Sequence, residues 1–319
     1  MNLPHRIDVH HHILPPDYVA RVGADRIGAP SASGKMPVWE PARSIETMDR
    51  NGIATALTSI SSPGLAVDDP RAVPGLARRC NEYAAQLRHD YLGRFGMFAT
   101  VPLPDVDAAI AEVDHAYDVL GTDGVCLLTN YQGGYLGDPS FRPLMAALDA
   151  RKAVVFVHPT SPTACPACAD GLSLSTLEFP FDTTRTIASL LLEGTLAHYH
   201  NIRFIFSHGG GAMPFLAGRL AMLSRNRPNI AELAPAGVIG ELARLYFDTA
   251  LSANRLMFQS LLELVPVDHV LLGTDFPFGR ANVVDETVAG IQKLGLDANA
   301  VHRIECTNAL RLLPELHPK

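Results

Sequence analysis

The sequence has no excess of basic residues, no apolar run long enough to cross a membrane, no low-complexity tract and no second CxxC pair. Each absence removes a class of protein. With 26 Lys and Arg against 33 Asp and Glu the formal charge is −7, so the electrostatic footprint of a nucleic-acid binder is missing. The mild acidity reads as ordinary solubility. Apolar runs stop at lengths such as that of AVVFV, far short of the roughly 18 residues of a membrane span. The opening MNLPHRIDVHHH enters a polar-studded strand with no secretory h-region, which predicts a cytoplasmic protein. The five cysteines, Cys80, Cys126, Cys165, Cys168 and Cys306, are odd in number and scattered, a poor basis for a disulfide framework. Cys165 and Cys168 have CxxC spacing, but structural zinc needs a second pair and thioredoxin-like chemistry a different setting than this proline-rich one. They read as incidental loop cysteines.

What is present is a regular alternation. Of the 319 residues 47% are hydrophobic, and short β-rich runs alternate with longer amphipathic stretches from end to end. The runs are Arg6–His11, Ala54–Ile60, Arg94–Val101, Gly124–Thr129, Ala153–His158, Arg203–His208, Leu245–Thr249 and His269–Thr274. Strand–helix alternation predicts a parallel sheet, and runs such as AVVFV suit strands covered on both faces. Eight units over 1–319 predict one (β/α)8 barrel domain, with a doubly wound sheet as the alternative. Two long excursions, Ile13–Arg43 after the first strand and Thr160–Asp182 after the fifth, fall where binding loops sit in a barrel.

Chemistry-bearing residues collect at strand ends. In Asp8-Val9-His10-His11-His12, strand alternation predicts His10 and His12 on one face and Val9 and His11 on the other. His198 and His200 repeat the spacing at a helix end, where side chains two apart diverge, and are predicted to be structural. His158 follows AVVFV, His208 follows FIFS and Asp275 follows LLGT. In a barrel the C-terminal ends of strands one, five, six and eight converge, offering imidazole nitrogens and a carboxylate to a divalent cation with a position left open. Glycines 209–211 lack the Lys-Ser/Thr of a phosphate loop and read as room for close backbone approach. Glu178–Arg185 suggests either an aromatic wall over a ring, or helix capping by Asp182 or Thr183.

In this order DVHHH, VHP, SHGGG, GTDFPF and TNALRLL resemble the metal-dependent amidohydrolase superfamily. The resemblance is strongest to its decarboxylase branch, which includes aminocarboxymuconate-semialdehyde and salicylate-type (6-methylsalicylate, γ-resorcylate) decarboxylases. It spans essentially the whole chain. It implies a (β/α)8 barrel, one divalent metal held by His10, His12, His158 and Asp275, and His208 as the catalytic histidine beside it. His208 or Asp275 would deliver a proton in non-oxidative decarboxylation of an ortho-hydroxy aromatic or enol-like carboxylic acid. Hydrolysis of a lactone or amide, or hydration, at the same site is the alternative. The three nitrogens and one oxygen favour Zn2+, with Mn2+ or Mg2+ as substitutes. Many binuclear relatives use a carboxylated lysine at the end of strand four. The four lysines here are Lys35, Lys152, Lys293 and Lys319, and that strand ends Leu128-Thr129-Asn130, so one metal is expected. Arg219 matches an arginine that grips a substrate carboxylate across a subunit boundary, which implies a homodimer. A second such arginine falls on Ser44, with Arg43 one residue away as the nearest candidate. Neither a nucleic acid nor a membrane is expected as partner.

Overall fold

All eight β-rich runs become strands: β1 (Arg6–His12), β2 (Ile53–Ser59), β3 (Phe95–Thr100), β4 (Gly124–Leu128), β5 (Val154–His158), β6 (Arg203–Phe206), β7 (Tyr246–Asp248) and β8 (Val270–Leu271). The computed structural model describes residues 5–162 and 171–316. The strands are parallel and adjacent in chain order. Between them, or after the last, run α1 (Pro41–Arg50), α2 (Val73–Asp90), α3 (Val106–Asp118), α4 (Arg142–Ala150), α5 (Leu174–Leu192), α6 (Met213–Ala221), α7 (Arg255–Leu264) and α8 (Ala281–Gln292). Shorter helical turns and a two-residue hairpin decorate this frame. The first and last strands meet through Val9 N–H to Leu272 O (2.9 Å), Asp275 N–H to His10 O (2.8 Å) and His12 N–H to Phe276 O (2.7 Å). The result is a (β/α)8 barrel, not a doubly wound sheet.

The apolar runs explain the packing. Outward residues such as Val125, Val155, Phe204 and Leu272 pack under the helices in one large cluster. Inward residues such as Leu57, Phe98, Phe156 and Leu271 fill the barrel, and the C-terminal Leu312, Leu313 and Leu316 pack against its base. Two helix starts are capped in the ordinary way: the Asp105 carboxylate accepts from Ala108 N–H and the Asn254 side chain from Met257 N–H.

Three expectations are corrected. Val9 does not join His11 on the outer face. The register shifts between Asp8 and His11, a bulge that sets two consecutive residues opposite one partner. Val9 therefore packs with Ile7 and Phe156 inside the barrel, while His10 and His12 still share a face and His11 turns out to Ser44 (2.8 Å). The sixth strand, expected to run to His208, ends at Phe206, and the eighth, expected over His269–Thr274, is only Val270–Leu271; His208 and Asp275 both adopt left-handed backbone (φ 54° and 61°) that does not extend a strand. Finally, α5 begins at Leu174, so Asp182 and Thr183 lie in mid-helix and cap nothing. Pro180 is tolerated there, at the cost of one backbone hydrogen bond. Cys165 and Cys168 lie outside the described residues; Cys80, Cys126 and Cys306 are buried and unpaired.

Candidate metal centre

Four side chains from three widely separated stretches meet at the C-terminal mouth of the barrel. One ligand-capable atom from each of His10, His12, His158 and Asp275 lies within 4.8 Å of the others, and all four residues are buried. His10 Nε2 stands 3.0 Å from His12 Nε2. Asp275 Oδ1 is 3.3 Å from the first of these nitrogens and 3.2 Å from the second. A tetrahedral cation with bonds of about 2.0–2.1 Å has ligand–ligand edges of roughly 3.3 Å. The spacing therefore fits a divalent metal.

Each imidazole is oriented through its other nitrogen. His10 Nδ1–H donates to Asp248 Oδ2 (2.7 Å), His12 Nδ1 is hydrogen-bonded to Ser59 Oγ (2.9 Å) and His158 Nδ1–H donates to the Pro159 carbonyl (2.8 Å). All three Nε2 atoms are thereby left for the centre, which is how metal-binding histidines are normally held. Asp248 does more than orient His10. Its Oδ1 accepts the backbone N–H groups of His208 and Ala250, both at 2.9 Å, so one carboxylate fixes a candidate ligand and the backbone of the neighbouring histidine. Asp8 performs a similar task at the barrel seam. It accepts from His10 N–H and Thr274 N–H (3.0 Å each), the Thr274 hydroxyl (2.6 Å) and His11 Nδ1 (3.1 Å). Gly273 passes between His10 and Asp248, and a Cβ there would come within 2.9 Å of both side chains.

Electrostatics prepare these groups for a cation. Burial lowers the His12 imidazole to about 4, against the pull of Asp275. Burial, then the neighbouring His12 and His10, holds His158 well below the ordinary histidine range. Both rings are neutral donors at pH 7. Burial would raise Asp275, but His10, through its hydrogen bond and charge, and then His12 hold it well below the usual carboxylate range. For His10 burial also opposes charge, yet Asp248 and Asp275 outweigh it and push the imidazole up to about 10. A proton there occupies ground that a divalent cation would claim.

His208 adjoins the cluster without being tied to it. Its Nε2 is 3.6 Å from Asp275 Oδ2, and neither buried ring nitrogen has a hydrogen-bond partner among the described residues. A buried, unpartnered imidazole at strained backbone beside a metal cluster marks a group awaiting a ligand. It faces a cavity of about 490 Å3 that also touches Phe179, Phe278, Leu251 and, from the first long excursion, Ile27 and Pro30. A larger neighbouring cavity of about 690 Å3 opens near the ends of β2 to β5 and touches none of the four clustered residues.

The remaining sequence-derived positions lie elsewhere. Arg219 is exposed on α6, with no ion pair among the described residues. Arg43 is 54% exposed and its nearest acid is Glu40 at 3.9 Å; it does not line the site cavity. Ser44 is fully buried, bonded to His11 and to Trp39 Nε1 (3.0 Å), a place with no room for an arginine. Lys35, Lys152 and Lys293 do not line the cavity. Thr129 and Asn130, at the end of β4, are spent on Asp182, which also accepts from Tyr135 (2.8 Å). Sequence reasoning missed Asp248 and Ser59, although Asp248 ends an apolar strand just as His158 does.

The amidohydrolase family model matches residues 7–314. The chain is 33% identical over 315 residues to the 6-methylsalicylic acid decarboxylase of Penicillium expansum, covering 98% of this chain and 97% of that one. A crystal structure of an amidohydrolase II superposes with a TM-score of 0.88 at 28% identity, covering 97% of this chain and 99% of the other. A dihydroxybenzoic acid decarboxylase from Polaromonas, with bound manganese and 2-nitroresorcinol, shares the fold at a TM-score of 0.80 and 21% identity, covering 99% of this chain and 98% of that one.

Proposed function

Because the chain belongs to the amidohydrolase family, we propose that it is a metal-dependent carboxy-lyase. It removes CO2 without oxidation from an ortho-hydroxy aromatic acid of the 6-methylsalicylate type. The observation that carries this reading is the buried cluster of His10, His12, His158 and Asp275 with the unpartnered His208 beside it. His10, His12, His158 and Asp275 would hold one divalent ion. Zn2+ is the first choice for three nitrogens and one oxygen, and Mn2+ or Mg2+ the substitutes. When bound, that ion would balance the charge of the substrate carboxylate and fix its orientation together with the ortho hydroxyl.

The protein's own part is to orient the ring and move one proton. Phe179 and Phe278 line the cavity over the cluster and give an aromatic ring apolar walls. His208, within reach of both the cavity and Asp275, holds the proton that is delivered to the ring carbon bearing the carboxylate. As the new C–H bond forms there and the C–C bond breaks, CO2 departs and the electron pair of that bond returns to the ring. Asp275 steadies the imidazolium before transfer.

The assembly we propose is a homodimer through α6. Phe215 and Arg219 are spaced as one face of α6, with Met222 just past its end; Phe215 is 82% and Met222 53% exposed, and Leu256 on the adjoining α7 is 81% exposed. Arg219 on that face would reach a substrate carboxylate in the neighbouring subunit. Residues 1–319 are taken as a single domain, and the three buried, unpaired cysteines agree with a reducing, cytoplasmic setting.

The test is elemental analysis of the purified protein, then CO2 release from 6-methylsalicylate and other ortho-hydroxy aromatic acids. One divalent ion per chain and stoichiometric CO2 are expected. Metal-loaded protein that releases no CO2 from any of them, yet hydrolyses lactones or amides, would replace decarboxylation with hydrolysis.

A further inference from the structure

The cavity wall above the cluster carries one carboxylate, Asp275, and one cationic side chain of the Lys or Arg type among the described residues, Arg280. The carboxylate faces the imidazoles of His10 and His12 at 3.3 and 3.2 Å. The guanidinium is engaged by nothing in the described chain. Many other arginines are paired: Arg6 with Glu305, Arg94 with Asp49, Arg151 with Asp114 and Asp118.

The position of Arg280 is also wrong for helix stability. It is the N-cap residue of α8, its side chain makes no capping bond, and the first turn holds no acid. Helix N-termini favour short oxygen-bearing caps and negative charge, so a cation there is opposed by the helix dipole. The Arg280 side chain is exposed, but the backbone that leads to it is pinned at both ends of the preceding turn: Gly279 N–H donates to Asp275 O (2.5 Å) and Phe276 O accepts from His12 N–H (2.7 Å). One short turn thus carries a metal-cluster carboxylate at its start and an uncommitted guanidinium at its end. Arg43, the arginine nearest to buried Ser44, points away to Glu40 and does not compete for this role.

We propose that Arg280 is the substrate-recognition cation that this chain supplies to its own site, in addition to any Arg219 reaching in across a dimer, binding the anionic group of an aromatic carboxylic acid and setting the preference for such acids over neutral analogues. This rests on the aromatic-acid reading given under Proposed function. A planar guanidinium recognises carboxylate by charge-assisted hydrogen bonds. A contact made equally in ground state and transition state changes KM and leaves kcat nearly alone.

The experiment compares metal-loaded wild type with Arg280→Met and Arg280→Lys, metal content being checked in each. Calorimetry measures binding of salicylate and of its neutral analogue salicylamide, and kinetics measure 6-methylsalicylate turnover. For Arg280→Met the expected result is salicylate affinity and KM weakened about ten-fold or more, with kcat changed less than about three-fold. Salicylamide affinity should move less than about two-fold, and Arg280→Lys should recover part of the loss. Salicylate binding unchanged within about two-fold, absent in wild type, or weakened equally with salicylamide would overturn the assignment. If salicylate binding depends on Arg280 while wild type releases no CO2, the decarboxylation reading falls and the recognition role stands.

Discussion

Replacing Asp248 by Asn changes one atom of the support behind the metal cluster and nothing of its size. The carboxylate accepts on both sides: Oδ2 from His10 Nδ1–H (2.7 Å), Oδ1 from the backbone N–H groups of His208 and Ala250 (2.9 Å each). An asparagine cannot serve both. If its oxygen stays with the two backbone donors, its NH2 group faces His10 Nδ1, and the imidazole must shift its proton to Nε2 to accept. Nε2 is the atom that looks toward His12 and Asp275, so this tautomer cannot bind a cation. If the amide turns over instead, two buried N–H groups meet a donor. Either way metal binding must first recover the productive tautomer.

The bond lost is one to a charged acceptor, worth about 1.5–3 kcal/mol. Removing such orienting partners weakens metal affinity about 10- to 100-fold, which is about 1.4–2.8 kcal/mol, and the two figures agree. Competition against a chromophoric chelator measures the constant directly, with the metal-free melting temperature recorded alongside. Asp248→Asn should weaken the metal by at least about ten-fold. Affinity within about three-fold of wild type in a folded variant would refute the tautomer argument.

Three further outcomes are expected. His208→Ala should retain the metal and lose about 10²- to 10⁴-fold in kcat; turnover within a few-fold of wild type would remove the histidine from proton delivery. Gly273→Ala places a methyl within 2.9 Å of His10 and Asp248, so denaturant unfolding should show a loss of about 1–3 kcal/mol, with metal content below wild type. Stripping the metal with a chelator should lower the melting temperature, and readdition at about 100 times Kd should restore about 2.7 kcal/mol; a melting curve indifferent to metal would contradict a site built into the native state.

The barrel was legible because its strands announce themselves: AVVFV and FIF are apolar on both faces, and a polar residue follows each at the mouth. His10 and His12 were legible for the same reason, since their spacing survives the bulge that moves Val9 inward. The bulge itself leaves no signature in DVHHH, because its cause is the fit of β1 between β2 and the segment after β8. Asp248 was missed although YFD ends a strand, since it meets His10 across 238 residues of chain and only coordinates bring that pair together. The start of α5 was misplaced because Thr160–Asp182 reads as one long excursion, whereas the helix already begins at Leu174, with Phe179 and Ile187 buried along it.

The location of the cluster at the seam of the barrel has a consequence for how the site is held. His10 and His12 belong to the first strand and Asp275 follows the last, so the two ends of the sheet must meet before these groups can. The contacts that close the seam are the same ones that aim the cluster: Asp275 N–H bonds to the carbonyl of His10, and Asp8 bonds to the backbone of both His10 and Thr274. Left-handed backbone at Asp275 and His208 costs on the order of 1–3 kcal/mol each, and at both positions closure contacts or Asp248 hold the strained residue in place. A (β/α)8 barrel whose ends met elsewhere would relieve the strain at Asp275 and scatter the donors. The strain at Asp275 and the position of the seam are therefore one feature of the fold, and it brings Asp275 to His10 and His12, whereas the strain at His208 is held separately by Asp248.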